Sequence, residues 1–128
     1  MNHRILAAAV PLIMLSSAAV AQDAAAGKAA FRACQACHVV DQEQNRVGPH
    51  LVGIVGRNVA SVEGYTYSDA MTEYSEGGEK VWDEAALQEF LADPRGVVEG
   101  TKMAYGGVKD EEDLANLIAY LKDPAAAE

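Results

Sequence analysis

The sequence is short of cysteine, of basic side chains and of long apolar runs, and each shortage excludes a class of protein. It has only 2 cysteines, three positions apart, and a disulfide between them would close a tiny loop and join nothing distant. Its 10 basic side chains face 19 acidic ones, and the net charge of −9 argues against binding to nucleic acid or anionic lipid. The 128 residues fit one domain.

The N-terminus has the pattern of a secretory signal peptide. A short basic start precedes the apolar run 5–15, and Ala19-Val20-Ala21 is a small-x-small cleavage signal. We therefore expect residues 1–21 to be removed on export, and residues 22–128 to form a single domain in the periplasm. The alternative is an uncleaved membrane anchor, but a spanning helix needs about 20 apolar residues, and this run is shorter and contains a proline.

The rest of the chain has the pattern of short helices joined by glycine-rich loops. The clearest helix begins near Asp110, and its apolar residues recur at helical spacing: Leu114, Leu117, Ile118 and Leu121. Three more helices are expected, from about Ala24 into Cys37, from a Ser68 cap to about Tyr74, and from an Asp83 cap to Asp93-Pro94. We expect segments 39–61 and 95–107 to be irregular. No period-two strand is evident, so the predicted class is all-α.

The central chemical signal is Cys34-Gln35-Ala36-Cys37-His38, because Cys-x-x-Cys-His is the attachment sequence of haem c. At the end of a helix, two cysteines at this spacing face the same way and can add to two vinyl groups on one edge of a porphyrin. His38 then lies under the iron as an axial ligand. The sequence therefore predicts one covalent haem c and an iron bound by His38.

The cysteine pair has three other interpretations. A thioredoxin-like dithiol opens a helix after a buried strand, whereas Cys34 and Cys37 here follow a helix with no strand before it. A zinc site could use His50, but a closed site needs four ligands, and His38 is too close to Cys37 to complete a tetrahedron easily. The third is a chance match. Haem is favoured because the motif is specific and the chain has no other cysteine.

The second axial ligand has three candidates in residues 22–128. Met71 falls within a predicted helix, where methionines most often pack in a core. His50 follows His38 closely, so a short loop would have to wrap from one haem face to the other, and a partly exposed loop histidine is the simpler interpretation. Met103 lies in a loop between two helices, and loops on a scaffold commonly deliver ligands. Met103 is therefore the predicted ligand.

From Gly27 to Leu121 the chain resembles the class I cytochromes c, in the bacterial branch close to the mitochondrial protein. Besides the attachment motif, the likeness includes Gly48-Pro49-His50-Leu51, Gly53-Ile54-Val55-Gly56-Arg57, Gly64-Tyr65-Thr66-Tyr67-Ser68-Asp69-Ala70, Trp82, Pro94, Gly100-Thr101-Lys102-Met103 and Leu117-Ile118-Ala119-Tyr120-Leu121. The resemblance implies the small cytochrome c fold, with about four to five short helices and long loops wrapped around one covalently bound haem.

The resemblance also implies a role for each matched residue. Cys34 and Cys37 would form the thioethers, His38 and Met103 the axial pair, and the Pro49 carbonyl would accept a hydrogen bond from the His38 ring. Further side chains would bind the haem propionates, the inner one through Arg57, Tyr67 and Trp82 and the outer one through Thr101. The first and last helices would cross through Gly27, Phe31, Leu117 and Tyr120.

The function implied is that of a soluble electron carrier rather than an enzyme. Its partners would be membrane redox complexes: a quinol–cytochrome c oxidoreductase and a terminal oxidase or photosynthetic reaction centre. The carrier would be a monomer that binds no nucleic acid and meets its partners through small, transient contacts. The alternative is a five-coordinate haem enzyme or sensor, such as a peroxidase or a gas-binding protein.

The chain departs from the family pattern in two positions and in its charge. Phe90 stands where the family often has a tyrosine whose hydroxyl bonds the methionine sulfur, and Glu99 stands where a proline is common. The family often surrounds the exposed haem edge with lysines, whereas this chain keeps only some basic groups there: Lys28, Arg32, Arg95, Lys102 and Lys109.

Overall fold

The computed structural model describes residues 11, 13 and 23–128. The segment 1–21, interpreted above as a signal peptide, therefore lies outside the described residues except for Pro11 and Ile13. Residues 23–128 contain five α-helices, which are α1 (Ala24–Ala30), α2 (Asp69–Tyr74), α3 (Glu84–Ala92), α4 (Pro94–Val97) and α5 (Glu111–Lys122). Two 3₁₀ turns follow α1 and α5, at Phe31–Ala33 and Pro124–Ala127.

The described part of the chain is helical, as predicted. It contains no strand, and its β-type pairing is limited to one isolated bridge between Asn58 and Val81. None of the helices within residues 23–128 has the length and apolar character that crossing a membrane requires. The segment between the first 3₁₀ turn and α2 is irregular, and its loops form much of the wall of the site described below.

Side-chain caps explain where the helices begin. A carboxylate or hydroxyl oxygen accepts a hydrogen bond from a free amide in the first turn of every described α-helix. The capping residues are Asp23, Ser68, Asp83, Asp93 and Asp110. The predicted caps Ser68 and Asp83 are confirmed, and Asp110 caps α5, whose first turn is acidic and so complements the helix dipole.

The core lies between α3, α5 and the loops. The apolar face predicted for the last helix is buried, and so is the face of α3 that carries Leu87, Phe90 and Leu91. Leu117 of α5 is almost completely buried, and so is Val59 of the irregular segment 34–68, which we call the long loop. Trp82 lies between Tyr74 and Phe90, with ring centroids 5.7 and 5.0 Å away, so the loop before α3 joins the same core.

Helices α1 and α5 cross at a glycine. Gly27 is buried, and a Cβ there would overlap the backbone carbonyl oxygen of Asn116 and press on Cβ of Tyr120. The Asn116 side chain accepts a hydrogen bond of 2.9 Å from the backbone N–H of Asp23, at the start of α1. One turn further along, the rings of Phe31 and Tyr120 lie 5.4 Å apart. The expected crossing is therefore present.

Two details of the predicted helices were wrong. The first α-helix ends at Ala30 instead of continuing into Cys37, because the chain tightens into a 3₁₀ turn in which the N–H of Cys34 donates to the carbonyl of Phe31, three residues back, at 2.8 Å. The segment after Asp93 is not wholly irregular, since Pro94 suits the first position of a helix and Asp93 caps α4. The last helix ends at Lys122, and the 3₁₀ turn that follows it was not predicted.

We predict that Gly27→Ala lowers the free energy of unfolding by about 2 kcal/mol or more, because the added methyl group has to displace backbone atoms of α5. Guanidinium titration followed by far-ultraviolet circular dichroism measures the change. Lys28→Ala is the control, because Lys28 is exposed on the same helix and its replacement should alter stability by less than about 0.5 kcal/mol. Equal stability of the two variants would contradict a close crossing at Gly27.

Candidate cofactor-binding site

One cavity brings together all nine residues that the sequence singled out. It has a volume of about 420 Å³, and its wall is mostly apolar, formed by side chains of α3, α5 and the loops. The nine residues in its wall are Cys34, Cys37, His38, Pro49, Arg57, Tyr67, Trp82, Thr101 and Met103. Cavities of this size and character are typical of cofactor and small-molecule sites.

The cysteine pair lies in a tight turn directly after the 3₁₀ turn Phe31–Ala33 that follows α1. The N–H groups of Cys37 and His38 both donate to the carbonyl of Cys34, at 3.1 and 2.9 Å. Both cysteines are free and half-buried. Burial, with a smaller effect of neighbouring Cys37, raises the pKa of the Cys34 thiol. A redox-active dithiol lowers the pKa of its reactive cysteine, so the pKa of the Cys34 thiol is shifted in the opposite direction from that of the reactive thiol of such a site.

The His38 ring is fixed in one tautomer. Its Nδ1 lies 2.8 Å from the carbonyl oxygen of Pro49, and because a carbonyl can only accept, the proton sits on Nδ1 and Nε2 keeps its lone pair. Burial lowers the pKa of His38, the Pro49 bond opposes this, and the charge of Arg57 adds to the lowering. A neutral imidazole with one free nitrogen is the form that binds a metal.

Gly48 leaves the space that the His38 ring needs beside the Pro49 carbonyl. A Cβ at this position would overlap Cε1 of the His38 ring. Its N–H donates to the carbonyl of Cys37 at 2.9 Å, and its own carbonyl accepts from the N–H of Arg46 at 3.0 Å. The Gly48-Pro49 pair was visible in the sequence as a loop signal, but the contact with His38 depends on tertiary structure.

Met103 reaches the cavity from the segment 99–107, which we call the Met103 loop. Met103 is half-buried, and its N–H donates to the hydroxyl of Thr101 at 3.3 Å. The neighbouring Lys102 donates from Nζ to the carbonyl of Thr66 at 2.8 Å, which ties the Met103 loop to the segment before α2. Sequence reasoning did not foresee this contact, since it joins residues far apart in the chain.

The two rejected ligand candidates occupy different places. Met71 of α2, for which core packing was expected, packs in the wall of the cavity. His50 is not in that wall, and its Nδ1 accepts from the N–H of Val52 at 3.3 Å. The structure therefore leaves two methionine thioethers at the cavity and directs His50 into its own loop.

Arg57 places a half-buried cation in the cavity wall. Its Nη1 donates to the carbonyls of His50 and Val52, at 3.0 and 3.1 Å. Its Nε is buried and has no hydrogen-bond partner among the described residues. Burial lowers the pKa of Arg57, an effect that Tyr67 partly offsets. A buried donor without a partner is costly, so this part of the cavity suits an anionic group.

The polar groups around Arg57 have hydrogen-bonding capacity left. The hydroxyl of Tyr67 accepts from the N–H of Val62 at 3.1 Å, which leaves its own proton free to donate. Trp82 is linked to Arg57 through the backbone, with its N–H donating to the Arg57 carbonyl at 2.8 Å. Tyr65, to which the sequence assigned no role, also lines the cavity. Its hydroxyl donates to the carbonyl of Val47 at 3.0 Å.

The residues present fit haem c. The apolar wall suits the face of a porphyrin, two thiols stand where thioethers can form, and the unpartnered Arg57 nitrogen suits a propionate carboxylate. His38 supplies a neutral nitrogen and Met103 a thioether, which are the protein ligands of many haem electron carriers. Phe90 is part of the wall, so the cavity has an apolar side chain at the position where the family often has a hydroxyl group.

Comparison with known proteins agrees with this fit. The family profile described as "Cytochrome c" matches residues 24–124. Cytochrome c2 of Blastochloris viridis is 42% identical over 105 residues, which cover 81% of this chain and 80% of that protein. Cytochrome c-550 of Nitrobacter winogradskyi is 44% identical over 100 residues, covering 77% and 88%.

A solved structure shows the same fold. Cytochrome cH from Methylobacterium extorquens aligns with a TM-score of 0.70 and 44% identity, covering 78% of this chain and 97% of that one. The chain belongs to the cytochrome c family, whose members bind one covalent haem c and serve as electron carriers rather than enzymes.

Proposed function

We propose that this chain is a one-electron carrier in which Cys34 and Cys37 hold haem c and His38 and Met103 bind its iron. The observation that carries the proposal is that one cavity collects the attachment motif, a histidine in its ligand tautomer and a methionine from a distant loop. Haem c, when bound, supplies an iron that takes up and releases one electron. The residues of the chain hold it, orient it and exclude water.

His38 acts as the fixed ligand. The hydrogen bond to Pro49 holds its ring orientation and raises the electron density on the free nitrogen, as such bonds do for metal-binding histidines. Because burial lowers the pKa of His38, little competition from protonation is expected near neutral pH. Gly48 leaves room for the ring to stand in this position.

Met103 acts as the second ligand and sets the range of the potential. A thioether is neutral and has no proton to lose, so it brings no charge to the site. As a soft donor it favours ferrous iron and raises the reduction potential. The apolar wall formed with Leu91 and Phe90 acts in the same direction, because a site with little water disfavours the more highly charged ferric state.

The propionate carboxylates of the cofactor would be bound by four side chains: Arg57, Tyr67, Trp82 and Thr101. The unpartnered Nε of Arg57 and the free hydroxyl proton of Tyr67 supply donors for the inner propionate. Thr101 contributes near the outer propionate and also accepts from the N–H of Met103, so it links that end of the cofactor to the Met103 loop. These contacts offset the burial of charged carboxylates.

The cellular role extends this proposal. Residues 1–21 direct export and are removed, and residues 22–128 work in the periplasm as a monomer. The partners are membrane redox complexes, namely a quinol–cytochrome c oxidoreductase as donor and a terminal oxidase or photosynthetic reaction centre as acceptor. The relatives support this role, since their names are those of bacterial cytochromes c2 and c-550. Contacts with such partners are small and transient.

Met103→Ala should leave haem attached but abolish the iron–sulfur charge-transfer band of the ferric protein. The reduction potential should fall by about 0.1 V or more, within the roughly 0.8 V range that axial ligation spans. Absorption spectroscopy and redox titration measure the two effects. Met71→Leu is the matched control, because it removes the other thioether of the cavity while keeping an apolar side chain of similar volume. A band that survives in Met103→Ala would refute the assignment of this ligand.

Replacing Cys34 and Cys37 together by serine should prevent covalent attachment. The wild-type protein, purified after export, should give the pyridine haemochrome spectrum of haem c and keep its colour through acidified-acetone extraction. The double variant should lose its haem in that extraction. Haem that resists extraction from the variant would contradict attachment through this pair.

Export should remove 21 residues and leave a chain that begins at Gln22. Mass spectrometry of the periplasmic fraction measures the mature mass, with the haem mass added. A haem-loaded protein that keeps its N-terminus and sediments with membranes would instead establish the uncleaved anchor.

A further inference from the structure

The end of the Met103 loop is fastened to the C-terminus of α3. The N–H of Val108 donates to the carbonyl of Leu91 at 2.8 Å, and Lys109 donates from Nζ to the carbonyl of Ala92 at 2.7 Å. Gly107 lies with φ at +105°, and a Cβ there would overlap the Ala92 carbonyl oxygen. Three consecutive residues therefore contact the last turn of one helix, and we call this contact the α3 clamp.

The charge of Lys109 suits this position. The last carbonyls of a helix have no intrahelical partner and carry partial negative charge. Helix α3 has no basic residue in its own last turn, so the cation comes from a residue distant in sequence. A hydrogen bond from an ammonium group is stronger than one between neutral groups.

The α3 clamp connects the Met103 loop to the wall of the cavity. Phe90 and Leu91 line the cavity from the same turn of α3 that receives the clamp. At the other end, the N–H of Thr101 donates to the carbonyl of buried Val98 at 3.1 Å. With both ends fixed, Met103 is held against the wall that α3 provides.

We propose that Lys109 is a positioning residue for Met103, which keeps the Met103 loop closed so that the thioether stays on the iron and external ligands stay out. This inference rests on the proposed function, since it assumes that Met103 is the ligand. Lys109 does not line the cavity, so its action is exerted through the backbone of the loop.

The test uses imidazole as an external ligand of the ferric, haem-loaded protein. At saturating imidazole the binding rate is limited by the opening of the Met103 loop. Lys109→Met, which removes the ammonium group and keeps an unbranched side chain, should raise that limiting rate about threefold to tenfold. The exchange rate of the Val108 amide, measured by NMR in deuterated water, should rise by a similar factor. Lys109→Arg should restore both rates towards the wild-type values.

Two control variants separate positioning from other effects. Lys28→Met makes the same substitution on the exposed surface of α1 and should leave the limiting rate unchanged. Asp110→Ala removes the cap of α5 beside Lys109 without touching the α3 clamp, so it reports general destabilisation. The inference is overturned if Lys109→Met behaves like Lys28→Met, or if Asp110→Ala raises the limiting rate as much as Lys109→Met does.

Failure of the proposed function gives a different result. If the wild-type ferric protein lacks the iron–sulfur band, or if Met103→Ala keeps it, Met103 is not the ligand and the proposed function fails. If the band is present in the wild-type protein and lost in Met103→Ala, the ligand assignment stands, and the Lys109 variants then decide the α3 clamp alone.

Discussion

The close approach of α1 and α5 at Gly27 is the constraint on which the site depends. It fixes the end of α1, and the chain enters the cysteine turn within one 3₁₀ turn of that end. On its other side, α5 lines the cavity with Leu117 and Leu121. The crossing thus sets the distance between the segment that attaches the cofactor and the apolar wall behind it. Two short helices at such close range need a residue without a side chain, since any Cβ would meet backbone.

Loops form most of the remaining wall, and backbone hydrogen bonds hold them in place. The carbonyls of Cys37 and Val39 accept from Gly48 and Leu51, so the long loop runs back beside the attachment turn. This pairing brings the Pro49 carbonyl to the His38 ring, and one backbone contact therefore orients a predicted iron ligand. A small domain with few helices has little core of its own, and a large apolar cofactor at the centre of these loops would complete it.

Features that depend on neighbouring residues could be predicted from the sequence, whereas contacts between distant segments could not. The attachment motif, the cap residues Ser68 and Asp83 and the apolar face of the last helix could each be read from spacing. The end of the first helix was predicted too late because apolar spacing does not distinguish the last turn of an α-helix from the 3₁₀ turn that follows it here. The contacts of Lys102 and Lys109 were missed because an exposed lysine has no sequence signal for the carbonyl it will reach.

Several of the few basic side chains bond to backbone carbonyls rather than to carboxylates. Among the described residues only one salt bridge is present, between the exposed side chains of Lys122 and Glu84. Lys102, Lys109 and Arg46 bond backbone carbonyls instead. A carbonyl fixes the position of a cation without cancelling its charge, whereas a carboxylate would neutralise it.

No carboxylate from the described part of the chain lines the cavity, while Lys102 and Arg57 do. The charged side chains of the wall, Lys102 and Arg57, are therefore both positive, although the net charge of the whole chain is −9. The half-buried Arg57 is poorly screened by salt and can offset a carboxylate of the cofactor at short range, whereas the charge of the exposed Lys102 is screened within about a Debye length.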